Sequence, residues 1–416
     1  MRKTIFWAFT AIILMTACQN RCNTKINNYL YGIEYDKHHD YDFEKGTKEF
    51  AKMNPAAPGC SEARKGSFVG RNLDWYINQE ASAIIKVAHT DKHLASIGMV
   101  GCSPKFSEEL AQSGNYDEIY EILPLFTCDG INEKGVYVGV NVMPTGETSL
   151  DSTHWQSGKW GIGAANTHPG ADKSYCTTYL VRYILDHATS VAHARQLIDA
   201  VNWFEPYGFP SPGASQAFHW LICDKGTSMV VEFLDNKVHY IVSNRVNEPS
   251  YATLMTNFTN TLMKEANLVQ TTGIGYERFN VLKNAYAQTE ESLDGMLNLM
   301  KKVWFTNTYT KEYNSDDFWF TEYTCAALPS PLLYAEGAAI WKDSNFVAVV
   351  NKNKTQFNDP SQWHTPNTSL WYTTHTSVYD LDKLEMRVLT HEGLEDQKEP
   401  YAVNFKSKFE KPLAHR

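Results

Sequence analysis

Eight cysteines are the first residues to weigh, because a thiolate is both a strong nucleophile and a metal ligand. They stand at positions 18, 22, 60, 102, 128, 176, 223 and 325. None forms a C-x-x-C pair, which weakens a structural zinc reading, and the spread is unlike a small disulfide scaffold. Other chemistry-bearing patterns fall away in turn. Gly158-Lys159-Trp160 misses the phosphate loop, Gly213-Ala214-Ser215-Gln216 misses the nucleophile elbow, and no HExxH is present. His89 and His93 lie in a segment that reads partly as strand, so they read as surface histidines. His38, His39, Asp40 and Asp42 are of metal-binding types, but their polar setting reads as solvated chain. Cys60 is left in a particular place: it directly follows Asn54-Pro55-Ala56-Ala57-Pro58-Gly59, which cannot continue a helix or a central strand.

Downstream of Cys60 come Phe68-Val69-Gly70-Arg71-Asn72-Leu73-Asp74, then Asp129-Gly130-Ile131-Asn132-Glu133-Lys134-Gly135 leading to Gly139-Val140-Asn141, and His219-Trp220-Leu221-Ile222-Cys223-Asp224. Thr256-Asn257, Glu277-Arg278-Phe279, Ser369-Leu370-Trp371 and Tyr379-Asp380-Leu381 follow. In order and spacing, from Cys60 to about residue 390, this set resembles the choloylglycine hydrolase superfamily. That superfamily includes bile salt hydrolases and penicillin V acylases, with acid-ceramidase-like amidases as more distant relatives. The resemblance implies an N-terminal-nucleophile hydrolase in which Cys60, exposed by removal of everything before it, attacks a linear amide bond. It further implies that Arg71 and Asp74 stand beside the nucleophile, that Asn141 and Asn257 shape the oxyanion site, and that Arg278 completes the centre. No metal or organic cofactor is implied. The implied substrates are N-acyl amides with an apolar acyl part: conjugated bile acids, N-acyl amino acids, phenoxyacetyl penicillins or fatty-acid amides. The chain departs from the pattern in Ser61-Glu62-Ala63, where many relatives have Thr with a small or basic residue, and in the roughly forty residues between Cys18 and Cys60.

Chemistry supports these assignments independently. A cysteine at a new chain terminus carries its own α-amine, with a reference pKa near 8 against about 8.5 for the thiol, so one residue supplies nucleophile and proton acceptor. Asp74 is suited to orient the terminal ammonium, and Arg71 and Arg278 to favour thiolate or bind an anionic group. An amide donor aimed at a developing oxyanion contributes about 3 kcal/mol. Thioester formation with loss of amine, then hydrolysis by water, completes the expected reaction.

The elements that must position these groups are mostly strands. Ser67 to Trp75, Ala83 to Ala88, and Gly135 to Met143 carry strand signals, the last with Val136, Val138, Val140 and Val142 at period two. Asn141 shares the opposite face with Gly139, as suits a site wall. Arg71 and Asp74, three apart, would face opposite sides of a regular strand, so the segment is expected to bend or end there. Helices are expected at Thr177 to Asn202 and from Arg278 to about Trp304. A meander runs through His219 to Cys223, Ser228 to Phe233 and Val238 to Val242, and strands resume at Ala338 to Trp341, Phe346 to Asn351, Ser369 to Tyr379 and Glu385 to Leu389. Strands, helices, then strands again predict an α+β layering without repeats. The resemblance sharpens this to a four-layer αββα fold, two antiparallel sheets between helical layers.

The 416 residues are 43% hydrophobic and 13% aromatic, and 38 Lys plus Arg against 47 Asp plus Glu give a charge of -9. With no extended basic run, a nucleic-acid partner is disfavoured and a small or apolar one expected. Arg2 and Lys3, the apolar run Ile5 to Met15 and small Ala17 read as an export signal over 1–17. Leu14-Met15-Thr16-Ala17-Cys18 resembles a bacterial lipobox, with Cys18 as the lipidated residue. Residues 18–59 then read as a polar, irregular extension or propeptide and 60–416 as the catalytic domain, with Pro58-Gly59 an exposed cut site. An exported, envelope-located precursor is expected, and so few apolar residues in the extension predict release of the mature hydrolase after the cut. The rival functions are acyl transfer to an amine on the same scaffold and a non-catalytic amphiphile-binding envelope lipoprotein.

Overall fold

The computed structural model describes residues 22–27, 30–36, 41, 43, 59–76, 82–101, 122–143, 173–204, 217–234, 237–265, 276–307, 323–325, 371–390 and 399–409. The signal segment, Cys18, the 38–42 cluster apart from Tyr41, and the strands expected at 338–341 and 346–351 lie outside them. In chain order the strands are β1 (Cys22–Asn27), β2 (Leu30–Tyr35), β3 (Gly59–Lys65), β4 (Phe68–Tyr76), β5 (Ser82–Val87), β6 (Ser96–Gly101), β7 (Thr127–Asn132) and β8 (Tyr137–Met143). They continue as β9 (Ser174–Cys176), β10 (Asn202–Phe204), β11 (Ala217–Cys223), β12 (Ser228–Leu234), β13 (Lys237–Ser243) and β14 (Leu254–Met255). The last are β15 (Phe305–Asn307), β16 (Tyr323–Cys325), β17 (Trp371–Asp380), β18 (Glu385–Thr390) and β19 (Tyr401–Asn404). The helices are α1 (Leu180–His187), α2 (Val191–Asp199), α3 (Asn260–Glu265), α4 (Tyr276–Ala285) and α5 (Leu293–Lys301).

Two sheets face each other. One has nine strands in the order β1-β2-β5-β6-β7-β8-β11-β12-β13, the other six in the order β14-β3-β4-β17-β18-β19. The side-chain alternation along each strand explains the layering. From β8 and β11, Tyr137, Leu221 and Cys223 point into a core shared with Val69, Tyr379, Met386 and Val388 of the six-stranded sheet. Their neighbours Val138, Trp220 and Ile222 point outward and pack on Leu180, Ile184 and Ile198 of α1 and α2. Ala63, Val378 and Leu389, on the far side of the second sheet, are covered by Phe279, Leu282, Met296 and Met300 of α4 and α5. The result is the expected αββα sandwich.

Pairing within the large sheets is antiparallel except at one place, where β2 runs parallel to β5 from Leu30↔Ser82 to Tyr35↔Val87. Here the reading of 19–59 as irregular is corrected. The hairpin β1–β2 belongs to this segment, and Leu30, Ile33 and Tyr35 are buried in the sandwich. Beyond it, the buried Tyr41 donates to both carboxylate oxygens of Asp186 on α1 at 2.7 Å and stacks on His93. The local pattern Leu30-Tyr31-Gly32-Ile33-Glu34-Tyr35 is apolar enough for a half-covered strand, though the average over forty residues conceals it.

Each expected long helix is two shorter ones. Ser190 caps α2 by accepting from His193 N–H, and Ser292 caps α5 by accepting from Gly295 N–H. Both halves of each pair lie on the same sheet face, so the apolar period runs through the break. Among the described residues no helix is long and apolar enough to cross a membrane.

Candidate active site

Cys60 lies near the start of β3, paired with Leu73 of β4, and is 1% exposed. Strand alternation then puts Cys60, Glu62, Arg71 and Leu73 on the face between the sheets, and Ser61, Ala63, Asn72 and Asp74 on the helical face. Arg71 and Asp74 thus do lie on opposite sides, but the expected bend is corrected: β4 runs unbroken to Tyr76, and the irregularity falls on its partner β17, between Thr373 and His375. Asp74 still reaches the cysteine, because its backbone N–H is hydrogen-bonded to the sulfur.

Five of the expected residues meet directly, all of them buried. Arg71 Nη2 stands 3.6 Å from Cys60 Sγ and donates to Val140 O at 2.7 Å. Cys60 N–H donates to Asn257 Oδ1 at 2.9 Å, and Arg278 Nη2 donates to that same oxygen at 2.7 Å. Arg278 Nη1 donates to Cys60 O at 3.0 Å and to Asp74 Oδ2 at 3.3 Å. Thr373 Oγ1 holds the other oxygen of Asp74 at 2.6 Å. The backbone on both sides of the Cys60 side chain is therefore fixed from the helical face, while its sulfur meets a guanidinium from between the sheets. Burial pushes the thiol up to about 12, with Arg71 pulling down and Asp74 pushing up. In the uncut chain the sulfur is protonated at neutral pH.

Asn141 is on β8 of the other sheet, opposite His219 in register. It joins the cluster through Glu62. Turned so that its nitrogen faces them, Asn141 donates to Glu62 Oε1 at 2.9 Å and to Val140 O at 3.0 Å. The opposite orientation sets its oxygen against those two acceptors and leaves long contacts to Met255 O and Thr256 O, at 3.5 and 3.4 Å.

Sequence reasoning missed a second layer behind these groups. Arg71 Nη1 pairs with Asp129 at 3.1 Å, and Ser377 and Tyr379 donate to the other Asp129 oxygen. Glu62 Oε1 lies 3.5 Å from Arg71 Nε, and Tyr137 donates to Glu62 Oε2 at 3.0 Å. Burial, offset in part by Arg71, pushes the Glu62 carboxyl up to about 8. The segment carrying Asn257 has its own support: His219 meets Thr256 O at 2.7 Å and Glu232 at 3.1 Å, and Glu232 accepts from the N–H groups of Asn260 and Thr261. Asp129 and His219 stand inside the recognised motifs, which was the one available signal for them. Glu62 and Glu232 carried none. Among the described residues no three His, Cys, Asp or Glu side chains are grouped as metal ligands.

Of the expected cut site, Pro58 lies outside the described residues. Gly59 is paired with Asp74 within β3, and Cys60 is buried.

Two variants of the conjugated bile acid hydrolase of Clostridium perfringens are similar in structure. One has TM-score 0.41 and 14% identity over 84% of this chain and 93% of that one; the other has TM-score 0.41 and 15% identity over 86% and 99%. The penicillin V acylase of Agrobacterium tumefaciens gives TM-score 0.39 and 12% identity over 80% and 83%. No curated protein sequence matches. The family described as linear amide C-N hydrolases, choloylglycine hydrolase family, matches residues 60–290, beginning at the cysteine on which the buried cluster converges and covering more than half the chain. The chain belongs to the linear amide C-N hydrolases of the choloylglycine hydrolase family.

Proposed function

We propose that Cys60 is the nucleophile and that it cleaves the C–N bond of an N-acyl amide through a thioester. The observation that carries this reading is the convergence on one residue: a guanidinium 3.6 Å from its sulfur, an amide oxygen on its N–H, and a second guanidinium on its carbonyl. Once the Gly59–Cys60 bond is cut, that N–H becomes an α-amine already held by Asn257. The amine takes the thiol proton, Arg71 stabilises the thiolate, and attack on the substrate carbonyl gives an oxyanion to which we assign the Asn257 and Asn141 amides as donors. Collapse expels the amine, and water hydrolyses the thioester. Asp74 acts through Arg278, which it anchors against Cys60 O.

The acyl part is apolar in this reading: a conjugated bile acid, an N-acyl amino acid, phenoxyacetyl penicillin or a fatty-acid amide. Incubating the purified cut protein with one amide of each class, with and without an added amine acceptor, tests it. Free acid and free amine in equal amounts are expected from at least one, lost in Cys60→Ala. Acyl-amine product instead of acid would make the enzyme a transferase.

We also propose that the precursor is exported and lipidated at Cys18, and that the extension stays in place after the cut. The buried side chains of β2 and Tyr41 support retention over release, so the lipid would continue to tether the mature enzyme.

A further inference from the structure

Most of the layer between the sheets is apolar, yet beside Cys60 it holds two carboxyl groups on one guanidinium. Asp129 is enough to balance Arg71, and two hydroxyl donors complete its shell. Glu62 is then a second, fully buried acid in a place where an apolar residue would cost less. The surrounding structure is shaped around it. A side chain at Gly139 would place its Cβ 2.5 Å from Glu62 Oε2 and closer still to Tyr137 Oη, so any other residue there would displace this carboxyl or its hydroxyl partner. Glu62 is also the link between the sheets, since it touches Arg71 on β4 and both Tyr137 and Asn141 on β8.

Resting on the reading of Cys60 as nucleophile, we propose that Glu62 is a positioning residue: its carboxyl fixes the Asn141 amide and the Arg71 guanidinium relative to each other and so holds the guanidinium against the sulfur. Without it, Asn141 loses its shortest contact and can turn its nitrogen to Met255 O and Thr256 O, and Arg71 keeps a single carboxylate, Asp129. A displacement near 1 Å at a reacting centre costs roughly 100-fold in rate. The titratable groups facing Glu62 are Cys60 on its own strand, Arg71 on β4, Asp129 on β7 and Tyr137 on β8, with Cys128, Cys223 and Tyr379 behind them.

The test compares Glu62→Gln and Glu62→Ala with wild type across pH 5 to 9, counting only chains that begin at residue 60 by intact mass. Gln keeps the volume and a carbonyl acceptor for Tyr137 while losing the ionisable carboxyl. Expected are a kcat loss of roughly 10-fold for Gln and roughly 100-fold for Ala, KM changed less than kcat, and one ionisation missing from the Gln pH profile. A Gln variant that melts normally but stalls uncut also supports the role, because the same sulfur makes the cut. A Gln variant with wild-type kcat and an unchanged pH profile overturns it, whether or not Ala folds. Alkylation separates the underlying reading. If wild type carboxamidomethylated at Cys60 still hydrolyses its amide, the nucleophile assignment fails. If that alkylation abolishes turnover while the Gln variant is normal, Glu62 alone is wrongly assigned.

Discussion

If the extension stays on the sheet after cleavage, truncating one of its buried side chains must weaken the hold by a computable amount. Ile33 is the choice, being buried between Tyr31 and Tyr35 in the strand that pairs with β5 and distant from Cys60 in the pairing scheme. Among the described residues of the segment, six apolar side chains are buried, Ile26, Leu30, Tyr31, Ile33, Tyr35 and Tyr41. At about 1.5–3 kcal/mol each, their gross contribution is on the order of 10 kcal/mol, before the cost of ordering the segment. Ile33→Ala removes about 2–5 kcal/mol of this, including the cavity left behind. At 1.4 kcal/mol per tenfold, the hold weakens roughly 30-fold to a few thousand-fold. The assay is gel filtration of the cut protein in rising urea, with both chains quantified by intact mass in each fraction. Wild-type segment and catalytic chain should co-elute in buffer, and the Ala variant should shed its segment at a lower urea concentration. A wild-type 60–416 chain eluting alone, with full activity and an unchanged melting curve, would refute the argument. A single uncut chain would instead refute the cut.

Four further outcomes are expected. Cys60→Ser should lower turnover by at least about two orders of magnitude with a normal melting curve, since oxygen nearly conserves the volume but differs in pKa and polarizability. Asp74→Ala leaves the buried Arg278 without its carboxylate and should cost about 3–5 kcal/mol, read in a urea unfolding curve. Glu232→Ala strips the acceptor from the two buried N–H groups that open α3, a loss of about 2–6 kcal/mol that should also lower kcat by loosening Asn257. The raised Glu62 carboxyl favours folding most below its ordinary value of 4.5, and that contribution is lost as pH rises toward about 8. The stability difference between wild type and Glu62→Gln should therefore move against wild type from pH 5 to pH 8. A pH-independent difference would contradict the shift.

Strand signals placed β4, β8, β11 and β12 to within two residues at each end, and at β8 the period-two residues Val136, Val138 and Val140 are the ones that pack toward the helices. That alternation also set Asn141 beside Gly139, though the glycine's reason is the Glu62 carboxyl. Arg71 and Asp74 were read correctly as lying on opposite faces and wrongly as requiring a bend, since a cysteine on the adjacent strand can be reached by a side chain from one face and a backbone N–H from the same strand. The extension escaped because its buried apolar side chains are diluted among polar neighbours and their partners, β5 for the strand β2 and Asp186 and His93 for Tyr41, are distant in sequence. Glu62 escaped for the same reason. Nothing local marks an acid whose partners are Arg71, Tyr137 and Asn141.

The placement of Gly59–Cys60 within a paired strand has a consequence for how the new chain end can arise. An outside protease needs several residues of extended, accessible chain in its cleft, and Cys60 is buried with Gly59 paired to Asp74. For the proposed terminus at Cys60, trimming of a loose tail is thus not the expected route. Under that proposal the chain folds first and then severs itself: the Cys60 sulfur adds to the Gly59 carbonyl, the nitrogen leaves as an amine facing Asn257, and water hydrolyses the resulting Gly59 thioester to free the new end. Maturation by that proposed route would be an intramolecular, first-order event whose half-time is independent of protein concentration, and a chain that had not folded correctly would never acquire its own base.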